Sequence, residues 1–309
     1  MYDKKLVWYE NLVAMPIDEL MFLASKLRKK KIDRKIELCS IVNAKSGLCA
    51  EDCRFCAQSS YYTTKTEVYP LLSKEEIIKA AFEAKKNGAH RFSIVTSGRR
   101  LEKDEIALIA DMVKEIKENI GISPCASLGA IGVDDLMTLK NAGLVRYHHN
   151  IETSESFYPN IATTHNYSER TDTIKAAKKC GLEVCAGGIF GIGESWRDRI
   201  EMAFALKRLK VDAVPLNFLV PIKGTPFESM AKLSSDEAIR IIALFRIILG
   251  ETMIKIAAGR EAVLKDFEAM MFAAGADGLM IGGYLTVNGR SVAEDLALVG
   301  EVENLWKKK

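Results

Sequence analysis

Short apolar runs recur from about Lys35 onward, each followed by a longer amphipathic stretch, and this alternation constrains the fold more than any other feature of the sequence. The runs are Ile36 to Ala44, His90 to Ser97, Ile122 to Ala130, Leu144 to Thr153, Leu182 to Gly191, Asp212 to Val220, Met253 to Gly259 and Asp277 to Gly283. Most are continuously apolar, as strands of a parallel sheet buried on both faces must be. Between them lie segments of helical period: one opened by the capping box Ser73-Lys-Glu-Glu76, then Lys103 to Asn119, Val133 to Ala142, Tyr167 to Lys179, Ser195 to Leu209, Ser235 to Leu249 and Glu261 to Ala274. Eight strands, each followed by a helix or helix-like segment, predict an α/β fold, a (β/α)8 barrel of the TIM type. An open, doubly wound sheet has the same periodicity and is the rival architecture. No linker rich in Pro, Gly or Ser divides the chain, so residues 1–309 read as one domain: a helical N-terminal extension over 1–34, the barrel over 35–290 and a C-terminal helix over 291–309.

A chain that is 48% hydrophobic and 28% charged can bury a core without disulfides. The net charge of +3 arises from 44 basic and 41 acidic residues mixed along the sequence, which offers no clustered basic face to nucleic acid. The charge runs Arg28 to Lys31 and Lys307 to Lys309 read as solvated surface. Met1 to Leu12 carries charges throughout and has no apolar signal region, and no apolar run approaches the roughly 20 residues that span a bilayer. A cytoplasmic location without membrane contact is therefore expected.

The seven cysteines are Cys39, Cys49, Cys53, Cys56, Cys125, Cys180 and Cys185. In a reducing compartment they point to metal or redox chemistry rather than to a disulfide framework. Cys49-Ala-Glu-Asp-Cys53-Arg-Phe-Cys56 follows the first strand directly. Three thiols this close are not easily accounted for as buried core residues, but they can wrap an iron–sulfur cluster. Zinc is the competing metal, although structural zinc normally takes four protein ligands, and no fourth Cys or His lies nearby in sequence. Three ligands leave one iron of a cluster open to bind another molecule.

This cysteine pattern after a first barrel strand resembles the signature of the radical S-adenosylmethionine (SAM) superfamily, with Phe55 at its usual aromatic position. The segment Asn43 to Thr64, NAKSGLCAEDCRFCAQSSYYTT, resembles the biotin synthase family within it. So do Cys125 to Ile131, Tyr147 to Ser154, Tyr167 to Ile174, Val184 to Glu194, Val214 to Pro226 and Ala257 to Glu261, in the same order. The likeness runs over roughly residues 35 to 290.

The resemblance implies a 4Fe–4S cluster on Cys49, Cys53 and Cys56, whose open iron chelates SAM. It implies that Arg170 pairs the SAM carboxylate, that Glu152 meets the ribose where the family more often has Asp, that Ile189 lies against the adenine, and that Phe55 is a further cofactor-binding residue. The glycines Gly187, Gly188, Gly191 and Gly193 would let backbone approach that ligand, although a plain strand-to-helix turn needs glycines too. Asn150 and Asn217 match asparagines that hold the ureido ring of dethiobiotin, and amides, which both donate and accept, suit a cyclic urea. His148 is either a further substrate contact or a polar filler. His90 and His149 read as structural, and His165, in a polar loop, receives no role.

The family also carries a second iron–sulfur cluster, of 2Fe–2S type, as sulfur donor. Cys125, Cys185 and Arg260 match three of its ligands by resemblance, but the fourth position falls on Ser93, whose oxygen is a far poorer ligand for iron–sulfur than thiolate. Cys39, on the neighbouring first strand, is the offered replacement, possible in a cluster of larger size, unless it is a small core hydrophobe. Cys180 reads as structural. The implied reaction inserts sulfur into dethiobiotin to give biotin, driven by reductive SAM cleavage to a 5′-deoxyadenosyl radical, with a flavodoxin or ferredoxin as electron donor and a homodimeric enzyme. The alternatives are a relative with another radical reaction, such as metallocofactor assembly, and a zinc-stabilised binding protein.

Overall fold

The computed structural model describes residues 8–9, 11–29, 35–285 and 289–307. Every apolar run becomes a parallel strand: β1 (Glu37–Lys45), β2 (Arg91–Thr96), β3 (Ser123–Ser127), β4 (Arg146–His148), β5 (Glu183–Cys185), β6 (Gly188–Phe190), β7 (Ala213–Phe218), β8 (Met253–Ile256) and β9 (Gly278–Met280). The strand order is β5-β4-β3-β2-β1-β9-β8-β7-β6, and a further pairing of β5 with β7 at Cys185 and Ala213 closes the ring. The barrel expected from the alternation is thus present and the open sheet is excluded. The fifth run is broken at Ala186-Gly187 because its two halves serve different neighbours: β5 pairs with β4, whereas β6 pairs with β7.

Helices cover the outside. After α1 (Ile17–Lys29) come α2 (Lys74–Lys86), α3 (Lys103–Glu115), α4 (Val133–Asn141), α5 (Tyr167–Lys179), α6 (Trp196–Arg208) and α7 (Ser235–Leu249). Ser73 and Glu76 form the anticipated capping box of α2. The expected helix from Glu261 to Ala274 is instead α8 (Arg260–Leu264), a 3-10 turn and α9 (Met270–Ala273), since Lys265 takes a left-handed φ of 51°. A last helix, α10 (Val292–Lys307), lies where the C-terminal helix was expected. Of the N-terminal extension, residues 1–7, 10 and 30–34 lie outside the described residues. Among the described residues no helix is long and apolar enough to cross a membrane.

Side chains alternate across each strand with a period of two. Leu38, Phe92, Ile94, Ala126, Tyr147, Val184, Val214, Leu216, Ile254, Ile256 and Leu279 point outward into the apolar shell beneath the helices. Their neighbours point into the barrel, and in-register partners share that face: Cys39 beside Arg91, Ser93 beside Cys125, Cys125 beside Arg146, His148 beside Cys185 and Pro215 beside Lys255. The interior is therefore polar, in contrast to the branched aliphatic filling usual for such barrels.

Candidate active site

Beyond the C-terminal end of β1 the chain turns sharply through Gly47 (φ 77°) and Leu48 (φ 49°) and enters the cysteine loop. The loop is tied by its own backbone: Cys49 N donates to Gln58 O at 2.9 Å, Ser60 N to Cys49 O at 2.8 Å and Cys56 N to Cys53 O at 2.9 Å. Asp52 pins it to the segment before α5, accepting from Thr163 N at 2.8 Å and Thr164 N at 3.1 Å. These bonds turn Cys49, Cys53 and Cys56 toward one cavity of about 430 Å³ at the barrel mouth. All three are free thiols, and burial pushes Cys53 up to about 12 and Cys56 to about 11. A cationic iron centre is what converts such buried thiols to ligand thiolates.

The same cavity is lined by Phe55, Glu152, Arg170, Ile189, Asn150, Asn217 and His148, so every residue expected at the first cluster, SAM or the substrate meets in one place. Arg170 is set by three acceptors: its Nε donates to Tyr158 OH at 2.5 Å, Nη1 to Asn150 O at 3.2 Å, and Nη2 points at His165 Nε2 at 2.9 Å. Glu152 holds a left-handed φ of 67°, and its carboxyl, 3.7 Å from Arg170, is pushed up by burial against the pull of that arginine. The two asparagines are partly engaged already. Asn150 Oδ1 accepts from Gly187 N at 3.1 Å, and Asn217 bridges Gly188 O at 3.1 Å and Ala258 N at 3.2 Å. Each amide keeps a second donor and lone pair for a ligand.

Two of the four glycines in the glycine-rich segment are required by the strands themselves. A Cβ on Gly187 would lie 1.9 Å from Pro215 O, and one on Gly188 would lie 2.1 Å from Glu152 O. Strand contact at the barrel seam, rather than a ligand, demands glycine at these two positions.

Deeper in the barrel sit the buried thiols Cys39, Cys125 and Cys185. They lie close enough that a charge on Cys39 raises both others, though burial does more, bringing Cys125 to about 12. Beneath them Glu37 bridges Arg91 at 3.1 Å and Arg146 at 3.2 Å, and Glu183 bridges Arg146 at 2.7 Å and Arg91 at 3.2 Å. Against the upward push of burial, Lys255, Arg146 and Arg91 hold Glu37 down to about 2.

The structure corrects one assignment. Arg260 does not face these cysteines: fully buried at the start of α8, its guanidinium is taken by Asp295 at 2.7 Å and Glu268 at 3.2 Å and touches Tyr284 OH at 3.2 Å. Helix α10 supplies Asp295, and a counter-charge so far along the chain leaves no local trace in the sequence. The cation that does reach the thiols is Lys255 on β8, with Nζ 2.7 Å from Cys39 Sγ. The strand run Met253 to Gly259 contained it, and an isolated Lys in an apolar strand was the signal available. His90 is structural as read, accepting from Leu38 N at 2.9 Å. His149 lines the cavity, stacked on Tyr147 with ring centroids 6.5 Å apart, and His165 lines it too.

The residues fit two iron–sulfur groups. Among the described residues, no three His, Cys, Asp or Glu side chains converge as the ligands of a single ion would. A cluster spreads its thiolates over several irons, so its cysteines need not meet at one point. In the deeper layer Ser93 Oγ and His148 Nε2 are buried without a partner among the described residues. Orphaned polar atoms cost free energy that an incoming group with acceptor sulfides would relieve.

The profile of the radical SAM superfamily matches residues 45–206, and that of the Biotin and Thiamin Synthesis associated domain matches residues 215–303. Barrel, cysteine loop and profile together define a radical SAM enzyme. The chain is 51% identical to the biotin synthase of Thermotoga petrophila over 299 residues, covering 96% of this chain and 99% of that one. It is 55% identical to the biotin synthase of Thermotoga neapolitana over 272 residues, or 88% and 97% of the two chains. The chain belongs to the biotin synthase family. The fold extends further: the FeFe-hydrogenase maturase HydG from Carboxydothermus hydrogenoformans superposes with a TM-score of 0.81 at 19% identity, over 96% of this chain and 74% of that one.

Proposed function

We propose that this chain is a biotin synthase that inserts sulfur into dethiobiotin, with Cys49, Cys53 and Cys56 holding the 4Fe–4S cluster and Cys39, Cys125 and Cys185 holding the second. The observation that carries this reading is the presence of two thiol sets in one barrel: Cys49, Cys53 and Cys56 on the cavity with Asn150, Asn217 and His148, and the buried Cys39, Cys125 and Cys185 on its strands, with Cys185 in register beside His148. When bound, the first cluster would relay an external electron to SAM, SAM would supply the hydrogen-abstracting radical and the second cluster the sulfur atom.

The chain's own contribution is placement. Arg170 offers a bidentate fork to the SAM carboxylate. Glu152 accepts from the ribose, while Ile189 and Phe55 give the adenine an apolar wall. Asn150 and Asn217 present their remaining donors and acceptors to the ureido ring, and His148, whose Nε2 has no partner among the described residues, stands between that ring and the deeper thiols. Holding the reacting carbon between the two sets in a water-poor cavity converts an encounter into an intramolecular step. Lys255, in the position facing Cys39, offsets thiolate charge in the second set. An outside flavodoxin or ferredoxin supplies the electron, the working form is a homodimer in the cytoplasm, and residues 1–309 act as one domain.

The test is anaerobic reconstitution of the wild type and a Cys49/Cys53/Cys56 triple alanine variant, with iron and sulfide counted and biotin assayed from dethiobiotin. A variant that keeps a distinct cluster but makes no biotin supports two sites. A variant with no cluster refutes the second.

A further inference from the structure

His165 lies in a polar loop, yet it is only 9% exposed and stands on the cavity wall with Nε2 4.0 Å from Cys53 Sγ. That same Nε2 is 2.9 Å from Arg170 Nη2. A guanidinium only donates, so Nε2 carries the lone pair. The ring proton then sits on Nδ1, where Glu51 Oε2 accepts it at 2.6 Å. A chain of fixed polarity, Glu51 to His165 to Arg170, thus runs from the cysteine loop to α5. Tyr158 clamps both members, edge-on to the imidazole with centroids 5.8 Å apart and accepting from Arg170 Nε at 2.5 Å. Of the five N–H donors of Arg170, these bonds and the one to Asn150 O take three. The second N–H of Nη1, with Glu152 at 3.7 Å, and that of Nη2, with Cys53 Sγ at 4.0 Å, have only long contacts and can turn to a carboxylate.

We propose that His165 is a positioning residue for SAM: it fixes Arg170 Nη2 so that the remaining donors of the guanidinium face the SAM carboxylate, and it ties that aim to the loop carrying Cys49 and Cys53. The inference rests on the reading of Arg170 above. Without the imidazole, Nη2 loses an acceptor and the guanidinium can rotate about its stem.

The test measures the dissociation constant of SAM on reduced, cluster-loaded enzyme from the change in the electron paramagnetic resonance signal of the first cluster, after iron has been counted. His165→Phe keeps the ring against Tyr158 and removes both nitrogens. It is expected to retain first-cluster iron and to bind SAM about tenfold more weakly, with KM for SAM rising and kcat within about twofold of wild type. His165→Gln, whose amide can accept from Arg170, recovers most of the affinity. His165→Asn, which reaches Glu51 but not Arg170, shows the same loss as Phe and serves if the Phe variant does not fold. Combined with Arg170→Met, His165→Phe adds nothing further, since it acts through that arginine. SAM affinity of His165→Phe within about twofold of wild type overturns the proposal, as does multiplication of the two effects or loss of first-cluster iron in His165→Phe. If Arg170→Met alone leaves SAM affinity unchanged, the assignment of Arg170 has failed and the proposal falls with it, an outcome distinct from a failure of His165 alone.

Discussion

Replacing Arg260 with methionine separates a structural arginine from a cluster ligand. The guanidinium is completely buried, and so is the Asp295 carboxylate against it, while Glu268 is 4% exposed. After the substitution Glu268 keeps Arg290, 2.5 Å away, but among the described residues Asp295 has no second cation within ion-pair distance. Removing one partner of a buried ion pair costs about 3–5 kcal/mol, because the other charge is left without compensation. At about 2 °C per kcal/mol for a chain of this size, the melting temperature should fall by roughly 6–10 °C. The deficit depends on pH. Burial already pushes the Asp295 carboxyl up, against Arg260, and without the arginine it rises further. A carboxyl whose folded pKa exceeds its unfolded value destabilises the native state above the unfolded value, so the deficit is largest at neutral pH and shrinks as the pH falls through the raised folded value. Adding Asp295→Leu to Arg260→Met should restore part of the loss. The assay is anaerobic thermal unfolding at several pH values, with iron and sulfide counted on the same samples. A drop below about 2 °C combined with selective loss of second-cluster iron would refute the reasoning and return Arg260 to the ligand set.

Three further outcomes are expected. Cys39→Ala should lose second-cluster iron and sulfide while keeping the first cluster, and intact second-cluster counts would show Cys39 to be a core hydrophobe. Lys255→Met, which removes the cation 2.7 Å from Cys39 Sγ, should alter the second cluster's absorption or abolish it, without changing the response of the first cluster to SAM; an unchanged spectrum would deny Lys255 any part. Gly188→Ala forces a Cβ to 2.1 Å from Glu152 O at the barrel seam and should cost more than about 4 kcal/mol, whereas Gly283→Ala, with nothing within 4 Å, should melt within about 1 °C of wild type. Equal melting temperatures for the two would contradict the seam argument.

The barrel and the first site were legible in the sequence because both are written locally. A continuously apolar run declares a buried parallel strand, and Cys49, Cys53 and Cys56 lie within one turn-rich loop whose backbone closes on itself. Side chains at strand ends on one rim were bound to face one cavity once the strands closed, so Asn150, Glu152, Ile189 and Asn217 came together there, and helix α5 adds Arg170 to the same cavity. The break of the fifth strand was not legible, since it depends on which neighbour each half pairs with across the seam.

Arg260 and Lys255 show where local reading stops. Both are cations in or beside an apolar segment after β7, and the motif around Arg260 was the more distinctive of the two. Which of them faces the thiols depends on strand parity and on a distant counter-charge. Lys255 shares its face with Pro215 of β7, an inward position, while Arg260 stands beyond the strand end, where α10 brings Asp295 to it. The same logic hid His165. Its partners Glu51 and Arg170 belong to the cysteine loop and to α5, and only closure of the barrel mouth sets a carboxylate on one ring nitrogen and a guanidinium on the other. Charge pairing across elements is thus the layer of information that folding adds, and in this chain it decides which cation meets the sulfur and which one only braces the wall.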